Sequence, residues 1–250
     1  STTNNTATVT ITDADATAID ATDLSAIGAA TSGVVTVSNA VAISGTAAEV
    51  TAALVTTASL VVAGTATVTI SDTASAANAD TIMAATSGIV TATVTATGAV
   101  ATLNTALGNA SATDALTMVL DATSVAAADL NTLDGKTSVA INANTIATMT
   151  GSAADVKTAL ESAGITDDGG VVATLSAGTT TATVLTDIDA ATTGTTDASA
   201  ITDISGTAVE VAAVVAGDIT TGNYTSTLSG TSSAANANTV MNDTAGIVTA

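Results

Sequence analysis

Carboxylates are the only reactive side chains this sequence supplies in number. Twenty-two Asp and Glu stand against two Lys, and the chain holds no His and no Cys. Asp13, Asp15 and Asp20 in TDADATAID, and Asp187 and Asp189 in TDIDA, place hard oxygen donors close enough in sequence to ligate Ca2+. Asp167 and Asp168, ahead of Gly169 and Gly170, form a third such cluster. Neither Asp-x-Asp stretch has the sixth-position Gly or the twelfth-position Glu of an EF-hand loop, and the glycine-rich nonapeptide of calcium-binding β-rolls is absent. Helix caps and turns use Asp for its short side-chain acceptor. Capping is therefore the leading expectation for these residues, and weak Ca2+ binding the alternative.

Catalytic constellations are excluded by missing residue types. Without His or Cys there is no Ser-His-Asp triad, no Cys-His pair, and no imidazole or thiolate zinc site. Lys136 or Lys157 beside a Ser could form a dyad, but in so acidic a chain a lysine more simply relieves carboxylate repulsion. LDGKT (133–137) ends like a phosphate-binding loop, yet Leu130 stands where that loop needs its first glycine. The expectation is a protein that is not an enzyme and requires no cofactor.

Charge narrows the partners. A net charge of −20 argues against nucleic acid, whose phosphates need Lys and Arg, and against anionic membrane surfaces. No run reaches the length of apolar residues that membrane insertion needs. Copies of the chain itself, associated end to end or side by side, are the partners this leaves. Asn4, Asn109, Asn223 and Asn242 lie in N-x-S/T triplets that could carry glycans. Thr-x-Thr arrays at Thr6–Thr12, Thr65–Thr69, Thr91–Thr97 and Thr179–Thr183 admit an ice-binding reading, although Thr is also the ordinary polar residue of a solvated strand face.

The elements that must hold these residues are repeats. SDTASAANADTIMAATSGIVTA (71–92) recurs as SGTSSAANANTVMNDTAGIVTA (229–250) with fifteen of 22 positions identical, and SGTAAEV (44–50) recurs as SGTAVEV (205–211). One long duplication thus relates 44–92 to 205–250. Aliphatic anchors in Ala-rich stretches at Leu24, Val50, Ile82, Leu107, Leu130, Val156, Ile188, Val211 and Val240 give gaps of 23 to 32 residues, with a mean of 27. Periods in the twenties belong to solenoids.

Each unit opens on Ser, Thr, Asp or Gly in a cap position, followed by apolar residues three or four apart: Val50 and Leu54, Val156 and Leu160, Leu130 and Leu133. A glycine often follows (Gly33, Gly88, Gly135, Gly164, Gly246) and reads as a C-terminal stop. Then come paired runs of alternating Thr and Val or Ile: VVTVS with VAIS, LVVAG with TVTIS, SVAIN with IATMT, VVATL with TATVL. The expected fold is a repeat solenoid, a parallel β-solenoid with a short helix or helical turn in each coil of about 27 residues. It runs over 1–250 as one continuous array of about nine coils. With one Tyr and no Phe or Trp, its core is thin and aliphatic. Nothing at either end resembles a cap, so the array is expected to continue in a longer polypeptide or to join other copies.

The units SGTAAEVTAAL, VAAADLNTLDGKTSVAINANTIATMTGSAADVKTALESAGIT and SGTSSAANANTVMNDTAG resemble repeats of giant Ala/Thr-rich cell-surface proteins of marine cyanobacteria, the type linked to swimming motility and surface layers. The resemblance implies an exported, acidic, structural protein at the cell surface and carries no catalytic residues. The functional expectation is a structural extracellular repeat protein forming or extending a filament, sheath or surface layer. An ice-binding or calcium-dependent adhesive surface module is the alternative.

Overall fold

The computed structural model describes residues 5–249. They fall into two compact units, one running to Val119 and including Leu133–Ile141, the other made of Leu120–Thr132 and the residues from Asn142 onward. Both are α/β, with parallel sheets alternating with helices.

In chain order the elements are β1 (Val9–Ile11), β2 (Ala18–Asp20), α1 (Ala21–Ala29), β3 (Val35–Val37), β4 (Ala42–Gly45), α2 (Ala47–Leu54), β5 (Val61–Val62), β6 (Thr67–Ser75), α3 (Ala76–Met83), β7 (Val90–Thr95), α4 (Val100–Ala106) and β8 (Ala115–Met118). They continue with β9 (Ser124–Ala126), α5 (Ala127–Asp134), β10 (Ile141–Asn142), β11 (Thr148–Gly151), α6 (Ala153–Glu161), β12 (Ile165–Thr166), β13 (Val172–Leu175), β14 (Gly178–Thr181) and α7 (Ala182–Ala191). The last are β15 (Thr196–Ala198), β16 (Ile201–Thr207), α8 (Ala208–Ala216), β17 (Ile219–Thr221), β18 (Thr225–Ser229), α9 (Ala234–Asp243) and β19 (Val248–Thr249). Two strands before each helix is the rule. β7 stands alone before α4, and three strands precede α7.

The sheets assemble by stacking equivalent strands. In the first unit their orders are β1-β3-β5 and β2-β4-β6-β7-β8, and in the second β9-β11-β13-β15-β17 and β14-β16-β18-β19. Every pairing among these is parallel, and paired residues lie 20 to 26 positions apart. Like therefore sits on like. Ile43 faces Val68, Val68 faces Val90, and all three are buried. On β7, Val90, Ala92 and Val94 point inward while Thr91, Thr93 and Thr95 face solvent, the alternation a half-buried strand requires.

The Ala-rich segments are true helices of seven to ten residues. Asp20, Thr46, Ser75, Ser152, Thr181, Thr207 and Ser233 cap seven of them, each side chain accepting from a backbone N–H two or three residues on. At α2 and α8 the cap becomes a reciprocal capping box, Thr46 with Glu49 and Thr207 with Glu210. These two boxes occupy equivalent places in the long duplication. Consecutive helices pack on one another, α1 on α2, α2 on α3 and α3 on α4, and likewise α6 on α7, α7 on α8 and α8 on α9.

Helix starts correct the repeat length read from single anchors. All but α4 begin on Ala, and the successive starts lie 24 to 29 residues apart, a narrower range than the 23 to 32 of the anchors. The equivalent buried position is the fourth helical residue: Leu24, Val50, Ala79, Leu103, Leu130, Val156, Leu185 and Val211. Ile82, Ile188 and Val240 lie one helical turn further on, so anchoring on them stretched some gaps and shrank others. The buried stripe keeps a strict spacing of three in Ala47, Val50, Ala53 and in Ala153, Val156, Ala159, leaving Leu54 and Leu160 only half-buried. TATVL (181–185) is a second correction. Thr181 ends β14 and caps α7, so Ala182 to Leu185 are helical and not a strand.

One residue in the stacked interior is out of character. Val125, Met149, Ala173, Thr196 and Ile219 form a continuous buried row, and the Thr196 hydroxyl in it meets no hydrogen-bond partner in the protein. A buried hydroxyl without a partner costs stability that an isosteric methyl does not. Thr196→Val is expected to raise stability by about 1 kcal/mol in denaturant melts, and unchanged or lower stability would show that the hydroxyl is satisfied.

Candidate functional site

A polar device, repeated at every second helix, carries the stacking. Thr31, Thr86, Thr137, Thr192 and Thr244 each lie just beyond a helix: α1, α3, α5, α7 and α9. Their hydroxyls donate to the carbonyls of Ala7 (2.5 Å), Ala66 (2.5 Å), Leu116 (2.9 Å), Val171 (2.6 Å) and Tyr224 (2.5 Å), all one strand layer earlier. The same oxygens accept from the N–H two residues on: Gly33, Gly88, Val139, Gly194 and Gly246, at 3.0 to 3.1 Å. Each threonine thus fastens its own turn to the backbone of its neighbour.

Glycine is what permits the close approach. A Cβ on Gly88 would lie 2.1 Å from the Ala66 carbonyl oxygen, and on Gly246 2.0 Å from that of Tyr224. These carbonyls are the very ones that the threonines bind. Thr137, whose clip closes on Val139 and not on a glycine, makes a longer 2.9 Å bond. Gly33, Gly88 and Gly246 are therefore contact glycines, a correction to their reading as helix stops. None of them has a positive φ, and the C-caps of α1, α3 and α9 are Ala30, Ala84 and Thr244.

The even-numbered helices have their own signature: Gly45, Gly98, Gly151 and Gly206 precede the caps of α2, α4, α6 and α8. The real repeat is a pair of helices of about 53 residues, and the duplication near 160 spans three such pairs. Sequence reasoning missed it, although Thr-x-Gly alternating with Gly-cap-Ala was there to be read.

Carboxylates perform the same work with a different acceptor. Asp72 accepts from the Ala47 N–H at the start of α2 (2.7 Å), Asp114 from Val90 (2.9 Å) and Asp80 from Asn109 (2.6 Å), each across neighbouring repeats. Asp114 is buried, and its second oxygen accepts from the N–H of Ser111 (2.9 Å). Asp203 takes the Thr225 hydroxyl at 2.6 Å.

The calcium candidates are placed as follows. Asp13 offers its backbone carbonyl to the Asn39 amide (2.7 Å), Asp15 accepts from the Ala40 N–H (2.9 Å), and Asp20 caps α1 through the N–H (2.8 Å) and hydroxyl (2.6 Å) of Thr22. Asp187 pairs with Lys157 at 3.2 Å, and Asp189 is half-buried two residues along α7. Asp167 and Asp168 accept from Gly169 and Gly170 in a turn. Among the described residues no group of three or more acidic side chains is arranged to hold a metal ion.

Lys157 holds Glu161 at 2.6 Å as well as Asp187, joining α6 to α7, and these carboxylates, Glu161 first, raise its pKa. Lys136 donates to the Leu107 carbonyl at the end of α4 (2.8 Å), satisfying a helix terminus. Tyr224 is buried and gives its hydroxyl to Asp243 (2.9 Å), and burial followed by that carboxylate pushes the phenol far above its ordinary range. Of the N-x-S/T triplets, Asn4 lies outside the described residues. Asn109 binds Asp80 through its amide, Asn223 is exposed between β17 and β18, and Asn242 is exposed on α9. A cleft at one clip, lined by Thr86, Ser87, Asn109, Ser111 and Asp114, encloses about 110 Å³. Small-molecule sites are several times larger, so this is a polar seam with room for a few waters. No helix among the described residues is long and apolar enough to cross a membrane.

Two measurements follow. Gly88→Ala is expected to destabilise by about 2 kcal/mol or more, because the methyl meets backbone, while Gly64→Ala, with open space around it, leaves the melt unchanged. Equal effects would remove the clip glycine from its role. The acid response comes from Asp20, Asp197 and Glu210. Their pKa values are lowered by hydrogen bonds to Thr22, Ser199 and Thr207. Groups depressed in the folded state stabilise it above their unfolded pKa and lose that contribution as pH falls through the folded one. The Tm is expected to hold from neutrality to about pH 5 and to fall below about pH 4, less steeply in an Asp20→Asn, Glu210→Gln double variant.

No family model matches the chain, and neither a curated protein nor a solved structure does.

Proposed function

We propose that the chain is a structural protein: a parallel β-solenoid with a helix in each coil, which forms or extends an extracellular filament, sheath or surface layer. The observation that carries this reading is the reuse of one contact set, the threonine clip and its contact glycine, at every second helix in both units. Side chains that would converge in an enzyme or a receptor are distributed instead along the stack and engaged in holding neighbouring strands. Stability in such a design is a sum of nearest-neighbour terms, which allows the structure to be extended without new chemistry. A net charge of −20 keeps long assemblies hydrated and apart. The placement at a cell surface rests on the resemblance of the repeats to surface-layer and motility proteins.

Small-angle scattering and electron microscopy test the reading. An elongated particle is expected, with a rise of about 4.8 Å per coil, the strand spacing. A compact particle would overturn it. Ice binding is the alternative, favoured by the exposed row Thr73, Thr93, Thr117, although the register shift between Thr69 and Thr73 interrupts the lattice. Thermal hysteresis in dilute solution would select it. For calcium-dependent adhesion, the expected signature is a Tm that rises with Ca2+ and falls with chelator.

A further inference from the structure

The two copies of the duplicated segment differ in what covers them. In the first copy Met83 is 5% exposed and Val90 fully buried, because α3 packs on α4 and β7 pairs with β8. Their counterparts in the second copy, Met241 and Val248, are 62% exposed and half-buried. Ile89 and its counterpart Ile247 change in the same direction, from 47% to 74%. Identical residue types in identical local structure are thus apolar contact residues in one place and an uncovered face in the other. That face, built by α9 and β19, includes an open parallel strand edge, since β19 pairs only with β18.

A complementary face exists on β1, β2 and α1. β1 pairs only with β3 and β2 only with β4. Val9, Ile11 and Ile19 are half-exposed, whereas their row partners Val35, Val37 and Ile43 are buried. The sequence names the fit. Thr91–Thr95, TATVT, leads in the first copy into α4, the helix that covers α3. The same five residues occur at Thr6–Thr10, leading through β1 and β2 into α1.

The geometry points to a second copy of this chain as the occupant: the β1, β2 and α1 face of one molecule docks on the α9 and β19 face of another, continuing the parallel pairing used inside each unit. This rests on the solenoid reading and deepens it, by naming the surface through which a filament grows. The contact is heterologous, so it propagates into an open filament wherever its rotation does not close a ring. Both faces are acidic, with Asp13, Asp15, Asp20 and Asp23 on one and Asp218 and Asp243 on the other, so moderate salt strengthens the association by screening.

Sedimentation velocity and electron microscopy of the full chain over a concentration series, at low and moderate salt, test the docking. Wild type is expected to grow into rods with concentration, more readily at moderate salt. A Met241→Asp, Ile247→Asp double variant stays at the size of one copy, or needs at least about tenfold more protein to assemble. Its thermal melt stays close to wild type because both side chains are mostly in solvent. Val209→Asp, 65% exposed on α8 and outside the face, assembles normally. Wild type that remains a single copy throughout overturns the proposal, as does assembly that the double variant leaves unchanged. Single copies that scatter as rods would sink the docking and leave the solenoid reading intact, whereas a compact particle would sink that reading too.

Discussion

A threonine hydroxyl held between a neighbouring strand's carbonyl and the N–H of a contact residue is the interaction on which the structure depends. It converts the loose turn after a helix into a fixed step onto the next layer. The step is short because glycine usually stands where a side chain would collide with the bonded carbonyl, as Gly88 does over Ala66 and Gly246 over Tyr224. Once the step is fixed, the register of the strand that follows is fixed with it. Val90 then lands on Val68, and Val248 on Ser226. Parallel strands slip easily when both faces are polar or flat, and here the clip and the aliphatic rows set the same register.

The acidity of the chain is explained by the same economy. Parallel stacks leave backbone N–H groups at helix starts and turns that need acceptors. Asp72, Asp80 and Asp114 supply them from a neighbouring repeat, and Asp20, Glu49 and Glu210 supply them within their own. A carboxylate accepts several such bonds and donates none, which suits a site lined by donors. Where two acidic helices meet, Lys157 bridges Glu161 and Asp187. Acidity is thus part of how neighbouring repeats are joined and also what gives the surface its charge.

The core has no aromatic contribution apart from Tyr224. Rows of Val, Ile, Leu, Met and Ala fill it, and Ala at the head of eight helices lets each helix sit close to the strand that feeds it. A large side chain at Ala47 or Ala153 would push the helix off its sheet. The narrow core and the short helices have one cause.

Sequence alone determined the repeating character, the parallel strand signal of alternating Thr and Val, the helical Ala-rich segments with their Ser, Thr and Asp caps, and the absence of the residues that catalysis by a triad or a zinc site needs. These are local properties, carried by side-chain periodicity and residue type, so they survive without knowledge of the neighbours. Tertiary structure decided the rest. Which aliphatic residue of a helix marks the repeat, Ala79 or Ile82, depends on what packs against it. Whether TATVL extends a strand or starts a helix was settled by the cap at Thr181 and the burial of Leu185. The meaning of Gly33, Gly88 and Gly246 lay in a backbone more than twenty residues earlier in the chain, and no local pattern reports the distance between two segments that only folding brings together.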